Sequence, residues 1–244
     1  MGPTSHRQAL PGTEAASLDL ADQAISERKP LKPFTDIIAI IDRSGSMNAI
    51  KAATEEGFNG FVREQQSTPG ECALSLYQFD DRYEVVYEDR AIREVPPFEL
   101  TPRASTALLD ALGRTITARG AHYAGLPEEQ RPEKVVVVVV TDGEENSSKE
   151  YTLATIKELV SRQKDTYQWQ FVFLGANMDA VGEAQRMGFS ADHAMTYGAD
   201  EAGVMCSYGS VSKLVSDFKT AGPRKMMKGF SAKDREDAVG GGKA

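Results

Sequence analysis

Six consecutive valines, Val135–Val140, constrain this chain more than any other feature. β-Branched side chains are stiff at χ1 and fit a pleated sheet. An unbroken apolar run with no alternation is the pattern of a strand buried on both faces, as in the middle of a parallel sheet. At a sheet edge the same run would be open to aggregation, so a central position is expected. This is also the longest apolar run in the chain, far below the roughly 20 residues that a membrane-spanning helix needs.

The rest of the pattern supplies neighbours for that strand. Ile37–Ile41 is a second short β-branched run. From Ala49 to Gln66, Ile50, Ala53, Phe58, Phe61 and Val62 recur at helical spacing. Cys72–Phe79 and Tyr83–Tyr87 read as strands joined by Asp80-Asp81-Arg82, an antiparallel hairpin. Pro96, Pro97 and Pro102 make 90–103 an irregular connection. Helices are predicted over 106–119, 151–165, 181–187 (closed by Gly188) and 204–218, and strands over 170–174 and 193–197. The alternation predicts an α/β fold: a doubly wound, mostly parallel six-stranded sheet with one antiparallel edge hairpin strand and helices on both faces.

The 244 residues divide into a flexible leader (1–33, with a short helix at 21–26), one domain (34–221) and a basic flexible tail (222–244). The formal charge of −8 is unevenly spread, because from Lys219 onward seven basic residues face only three acidic ones. The folded domain is therefore strongly acidic, which argues against nucleic acid as its ligand and leaves only the tail for such a contact. The first 20 residues lack a continuous apolar segment, so no signal peptide is expected. Cys72 and Cys206 lie far apart and read as buried thiols without a disulfide framework. Together these features predict a cytoplasmic protein.

On parallel sheets, ligands bind at the carboxyl ends of strands, where the winding reverses. The loop after Ile37–Ile41 reads Asp42-Arg43-Ser44-Gly45-Ser46-Met47, and the valine strand ends in Thr141-Asp142-Gly143-Glu144-Glu145. In an extended loop, Asp42, Ser44 and Ser46 project to the same side. If the two strands are neighbours, Asp42 and Asp142 come close and repel, and a divalent cation between them removes the repulsion. The long connection after the hairpin is able to deliver Ser105-Thr106 beside both loops. Hard oxygen donors of this kind suit Mg²⁺, Mn²⁺ or Ca²⁺ and do not favour Zn²⁺. The extra carboxylates of Glu144–Ser148 either tune cation affinity or are simply solvated.

This constellation resembles the von Willebrand factor A family and its metal-ion-dependent adhesion site. Asp42, Ser44 and Ser46 match the first loop of the family's site, Thr106 the second and Asp142 the third. The resemblance covers about residues 34–221. The Thr141–Ser148 and Phe171–Asn177 stretches look most like small stand-alone bacterial or phage members. It implies that the serine pair and Asp42 hold Mg²⁺ (or Mn²⁺ or Ca²⁺), that Thr106 and Asp142 bind directly or through water, and that a partner protein's Asp or Glu fills one open position. It also implies a non-enzymatic interaction module, with an AAA-type ATPase system as a candidate partner. One departure is Ala104-Ser105, where many members have two glycines before the threonine, so this loop is expected to be stiffer.

Two other readings are open to the same residues. A Mg²⁺-dependent hydrolase or phosphoryl-transfer enzyme also uses strand-end carboxylates, but position 44 is serine and no lysine falls in these loops. Gly-x-Ser-x-Gly is absent around Ser44 and Ser46, and His6, His122 and His193 lie elsewhere, so no activated nucleophile is visible. A phosphate-binding glycine loop is also lacking. The remaining reading is a subunit that binds mainly through its basic tail.

Overall fold

The structure, a computed structural model, describes residues 34–223 and 225–240. The leader and its short helix, and the final four residues of the tail, lie outside the described residues. β1 (Phe34–Asp42), β2 (Glu71–Phe79), β3 (Tyr83–Ala91), β4 (Lys134–Thr141), β5 (Gln170–Ala176) and β6 (Ala194–Tyr197) form one sheet in the order β3-β2-β1-β4-β5-β6. All neighbouring pairs are parallel except β2–β3. This is the fold class that the sequence predicts.

The helices are α1 (Lys51–Ser67), α2 (Leu108–Gly125), α3 (Leu153–Tyr167), α4 (Ala180–Arg186), α5 (Glu201–Thr220) and α6 (Ala232–Ala238). Strand periodicity divides the valines between the two faces of the sheet. Val136, Val138 and Val140 pack with Phe58 and Phe61 of α1 and Val211 and Val215 of α5. Val135, Val137 and Val139 pack with Leu112 and Ile116 of α2 and Ile156 and Val160 of α3. None of the six is more than 5% exposed, so burial on both faces accounts for the missing alternation.

β3 and α2 run well past the carboxyl ends that their sequence pattern suggests. β3 continues to Ala91, and α2 continues past Arg119 to Gly125. Arg119 marks an apparent helix end because it is charged, yet it is 1% exposed. Its guanidinium donates to the buried Asp36 carboxylate at 2.7 Å and also pairs with Asp89. A buried, paired arginine does not interrupt the inner face of a helix.

The expected flexible tail is corrected over 225–240. Met227, Phe230 and Ala238 are buried in the same core layer as α1 and α5. Phe230 N–H donates to the Asp192 carbonyl at 2.8 Å and Gly198 N–H to the Ala238 carbonyl at 2.9 Å. Arg235 reaches the carbonyls of Ala191 and Ala194, and Lys233 pairs with Asp237. The segment shields β6, which would otherwise present an open sheet edge. Its charge suggested solvation, but three apolar residues among the charged ones anchor it, and two of its cations are already engaged. Among the described residues, no helix is long and apolar enough to cross a membrane.

Candidate metal centre

β1 and β4 lie side by side at the point where the winding reverses, with Ile41 opposite Val140. Their ends therefore deliver Asp42 and Thr141 together. Asp42 is fully buried. Its Oδ1 accepts the Ser44 N–H at 2.6 Å, and its Oδ2 accepts the Thr141 hydroxyl at 2.6 Å. Ser44 Oγ and Ser46 Oγ are 3.0 Å apart, and Ser46 donates to Asp142 Oδ1 at 2.6 Å. Thr106 completes the group: its Oγ1 is 3.2 Å from where a Cβ on Gly143 would sit, and Ser46 Oγ is 3.7 Å from the same point. The structure thus brings all five site residues named from the sequence together, with Thr106 and Ser46 close to Gly143 where a side chain would crowd them.

Thr106 precedes α2 rather than lying inside it, and the Glu145–Ser148 stretch holds it there. Asn146 Oδ1 accepts the Thr106 N–H at 3.0 Å, while the Thr106 carbonyl accepts the N–H of Asn146 at 3.0 Å and of Ser147 at 3.2 Å. Glu145 Oε2 accepts the Leu109 N–H at 2.9 Å and Ser148 Oγ the Asp110 N–H at 3.0 Å. These are the otherwise unpaired donors of a helix N-terminus, where a carboxylate is also favoured by the helix dipole. The solvated reading therefore fails for the Glu145 carboxylate and holds for the exposed Glu144. The available signal was the residue types of Glu145, Asn146 and Ser148, because Asn and Ser are common helix caps and a Glu carboxylate is favoured near a helix N-terminus.

A second support is Asp80, which sequence reasoning treated as hairpin linker. Its Oδ2 accepts Arg43 Nε at 2.9 Å and Arg103 Nε at 2.5 Å, and its carbonyl accepts the Ala107 N–H at 2.9 Å. One buried carboxylate thus ties the Asp42–Ser46 loop, the connection before Thr106 and the hairpin together. The Arg43 guanidinium also reaches Glu84. The available signal was position: Phe79 pairs with Asp42, so Asp80 is also a carboxylate at a strand end. Gly45 N–H donates to the Ala104 carbonyl at 3.1 Å, and Ala104 holds that position with φ of 56°, a conformation disfavoured for residues with a Cβ.

Electrostatics set the site apart from the rest of the sheet. Burial pushes the Asp42 carboxyl up to about 6, an effect partly opposed by the Thr141 and Ser44 hydrogen bonds and reinforced by Asp142. Burial also raises Asp142. The neighbouring Arg43 turns away to Asp80, so no cationic side chain pairs with Asp42 among the described residues. Among the described residues, no group of three or more His, Cys, Asp or Glu side chains is placed to hold a metal ion. The donor set is two carboxylates and three hydroxyls, which fits a hard cation that retains some of its water. His193 lies elsewhere, with Nε2 3.3 Å from the Met227 carbonyl, and His122 is 3.4 Å from Asp89.

Solved structures share this architecture. Proximal thread matrix protein 1 from the mussel byssus, with a zinc-occupied MIDAS motif, matches at 20% identity and TM-score 0.53 over 75% of this chain and 46% of that one. The vWF domain of the type V pili tip protein Mfa5 from Porphyromonas gingivalis matches at 10% identity and TM-score 0.54 over 79% and 98%. The chain has a von Willebrand factor type A fold. The pilus adhesin SpaC from Lactobacillus rhamnosus GG, in an open conformation, matches at 16% identity and TM-score 0.56 over 78% and 31%. The chain spans less than half the length of the mussel and Lactobacillus chains. No family model matches it, and no curated protein does.

Proposed function

We propose that this type A domain is a divalent-cation-dependent protein-interaction module and not an enzyme. The observation that carries the reading is Asp42: a fully buried carboxylate without a cationic partner, held by the Ser44 N–H and linked onward through the Ser44 and Ser46 hydroxyls to a second carboxylate. A buried charge is costly unless paired, and a cation supplies the missing pair. Asp42, Ser44 and Ser46 would hold the ion, with Thr106 and Asp142 contributing directly or through water. The all-oxygen donor set favours Mg²⁺, with Mn²⁺ as a close substitute.

A bound cation supplies a Lewis-acidic position that an outside oxygen is able to fill. Ser46 is exposed and Asp142 half-buried, so the site opens to the surface. A partner's Asp or Glu carboxylate satisfies that position and lowers the remaining positive charge. The carboxylates that accept the Ser46 and Thr141 hydroxyls, Asp142 and Asp42, are assigned here to the cation rather than to a general base. The test is capture of a partner on the immobilised chain with Mg²⁺ present. The expected result is release by a chelator and absence of capture by Thr106→Ala. Retention under both conditions assigns binding to another surface, and turnover of a phosphate-ester panel by the Mg²⁺-loaded chain would support an enzyme instead.

A further inference from the structure

The metal site occupies the carboxyl ends of the strands, and a separate recess lies at their amino ends. A cavity of about 360 Å³ opens between the C-terminal halves of α2 and α3. Its inner wall is aromatic: Tyr123 and Trp169 meet edge to face, with ring centroids 5.6 Å apart at 72°. Its size falls in the range of small-molecule sites.

The polar groups around it are unusual in being unengaged. Gln163 is 7% exposed and Trp169 4% exposed. Neither the Gln163 amide nor the Trp169 indole N–H has a hydrogen-bond partner among the described residues, and neither is fully enclosed, so both are open to the cavity. The Gln163 Nε2 lies 3.0 Å from where a Cβ on Gly120 would sit, so the missing side chain keeps the space around the amide open. Two guanidinium groups stand at the rim. Arg162 makes no ion pair or hydrogen bond among the described residues. Arg131 donates Nε to the Leu126 carbonyl at 3.0 Å and an Nη to the Ala124 carbonyl at 3.4 Å, leaving its other Nη available. No carboxylate lines the cavity. The free groups are therefore mostly donors, set around an aromatic wall.

We infer that this cavity binds a small planar aromatic anion. Its ring packs against Tyr123 and Trp169, its charged group pairs with Arg162 and Arg131, and a second acceptor takes the Gln163 amide or the Trp169 N–H. Guanidinium groups suit this role because they pair with carboxylates bidentately and stack on rings.

Trp169 is the chain's sole tryptophan, so an ¹⁵N-labelled sample gives one indole cross-peak, located in the cavity wall. Titration with 2-naphthoate should move that peak saturably. The uncharged 2-naphthamide should require about ten times more, the equivalent of roughly 1.4 kcal/mol for the lost charge pairing. Arg162→Gln, at an exposed side chain with no partner to lose, should bring the two ligands to similar affinity. Ala121→Leu, at an exposed cavity-lining position of α2, should abolish the shift. The absence of a saturable shift, equal affinity of the two ligands for the unmodified chain, or unchanged binding by both variants would overturn the inference.

Discussion

Thr141 donates its hydroxyl to Asp42 across the two central strands at 2.6 Å. The carboxylate that a cation would neutralise is therefore held in advance by the strand carrying the second carboxylate, Asp142. The hydroxyl also lies 3.0 Å from the Gly143 carbonyl, so one side chain shapes both loops. Removing it should affect stability and cation binding together.

Thr141→Val keeps the shape and removes the donor. Leaving the Asp42 carboxylate one hydrogen bond short should cost about 1–3 kcal/mol, which for a domain of this size lowers Tm by roughly 2–12 °C. Differential scanning calorimetry in a chelator measures this. A Tm within 1 °C of the parent, taken as about the limit of a reproducible shift, would place the hydroxyl outside the energetics of the site.

The pH dependence has a definite sign. In the ion-free protein Asp42 stands at about 6 against an ordinary 3.8, so folding favours its protonated form. Its contribution to stability is complete below the ordinary value and is lost as pH rises through 6. Asp36, also raised to about 6 by burial, behaves with the same sign. The Asp42 share is isolated by comparison with Asp42→Asn, which should gain on the parent by about 1.4 kcal/mol between pH 5 and 7.5 in a chelator, the part of the linkage that falls above pH 5. Mg²⁺ should in turn raise the parent's Tm more at pH 7.5 than at pH 5. A difference between the two proteins that does not vary with pH would contradict the shift.

Much of this fold and site was legible in the sequence because it depends on local patterns. The valine run specified a central strand, and Asp42, Ser44, Ser46 and Asp142 follow strands whose ends the topology brings together. Thr106 was placed by the chain's reach together with its match to the second loop of the family's site. What escaped depends on partners distant in sequence. Asp80 acquires its role from Arg43 and Arg103, and Asn146 from the backbone of Thr106. Arg119 looked like a helix end because its partner, Asp36, is 83 residues away. The packed segment at 225–240 was hidden by charges that outnumber its three apolar anchors.

Asp80→Asn keeps the size of the side chain but leaves Arg43 buried without its full countercharge. Loss of a buried pair typically costs 3–5 kcal/mol, and the loops before Ser44 and Thr106 should loosen with it. Tm should fall by roughly 6 °C or more. Mg²⁺ affinity, measured well below Tm, should fall about tenfold, corresponding to roughly 1.4 kcal/mol. Unchanged Mg²⁺ affinity in the folded variant would confine Asp80 to a stabilising role.

Ala104→Gly should do the reverse. The left-handed conformation of Ala104 costs about 1–2 kcal/mol, and glycine removes that strain at the expense of some unfolded-state entropy. A net gain of about 0.5–1 kcal/mol is expected from chemical denaturation, with the Gly45 to Ala104 backbone bond intact. A loss of stability would show that φ at this position is not strained.

The central claim is that the space among Asp42, Ser44, Ser46, Thr106 and Asp142 holds one divalent cation. Isothermal titration calorimetry of the chelator-treated chain with Mg²⁺ and Mn²⁺ addresses it most directly, with Asp42→Ala as the comparison. One saturable site per chain, lost in Asp42→Ala, is the predicted result. Equal heats for the two proteins, or no saturable heat in either, would contradict it.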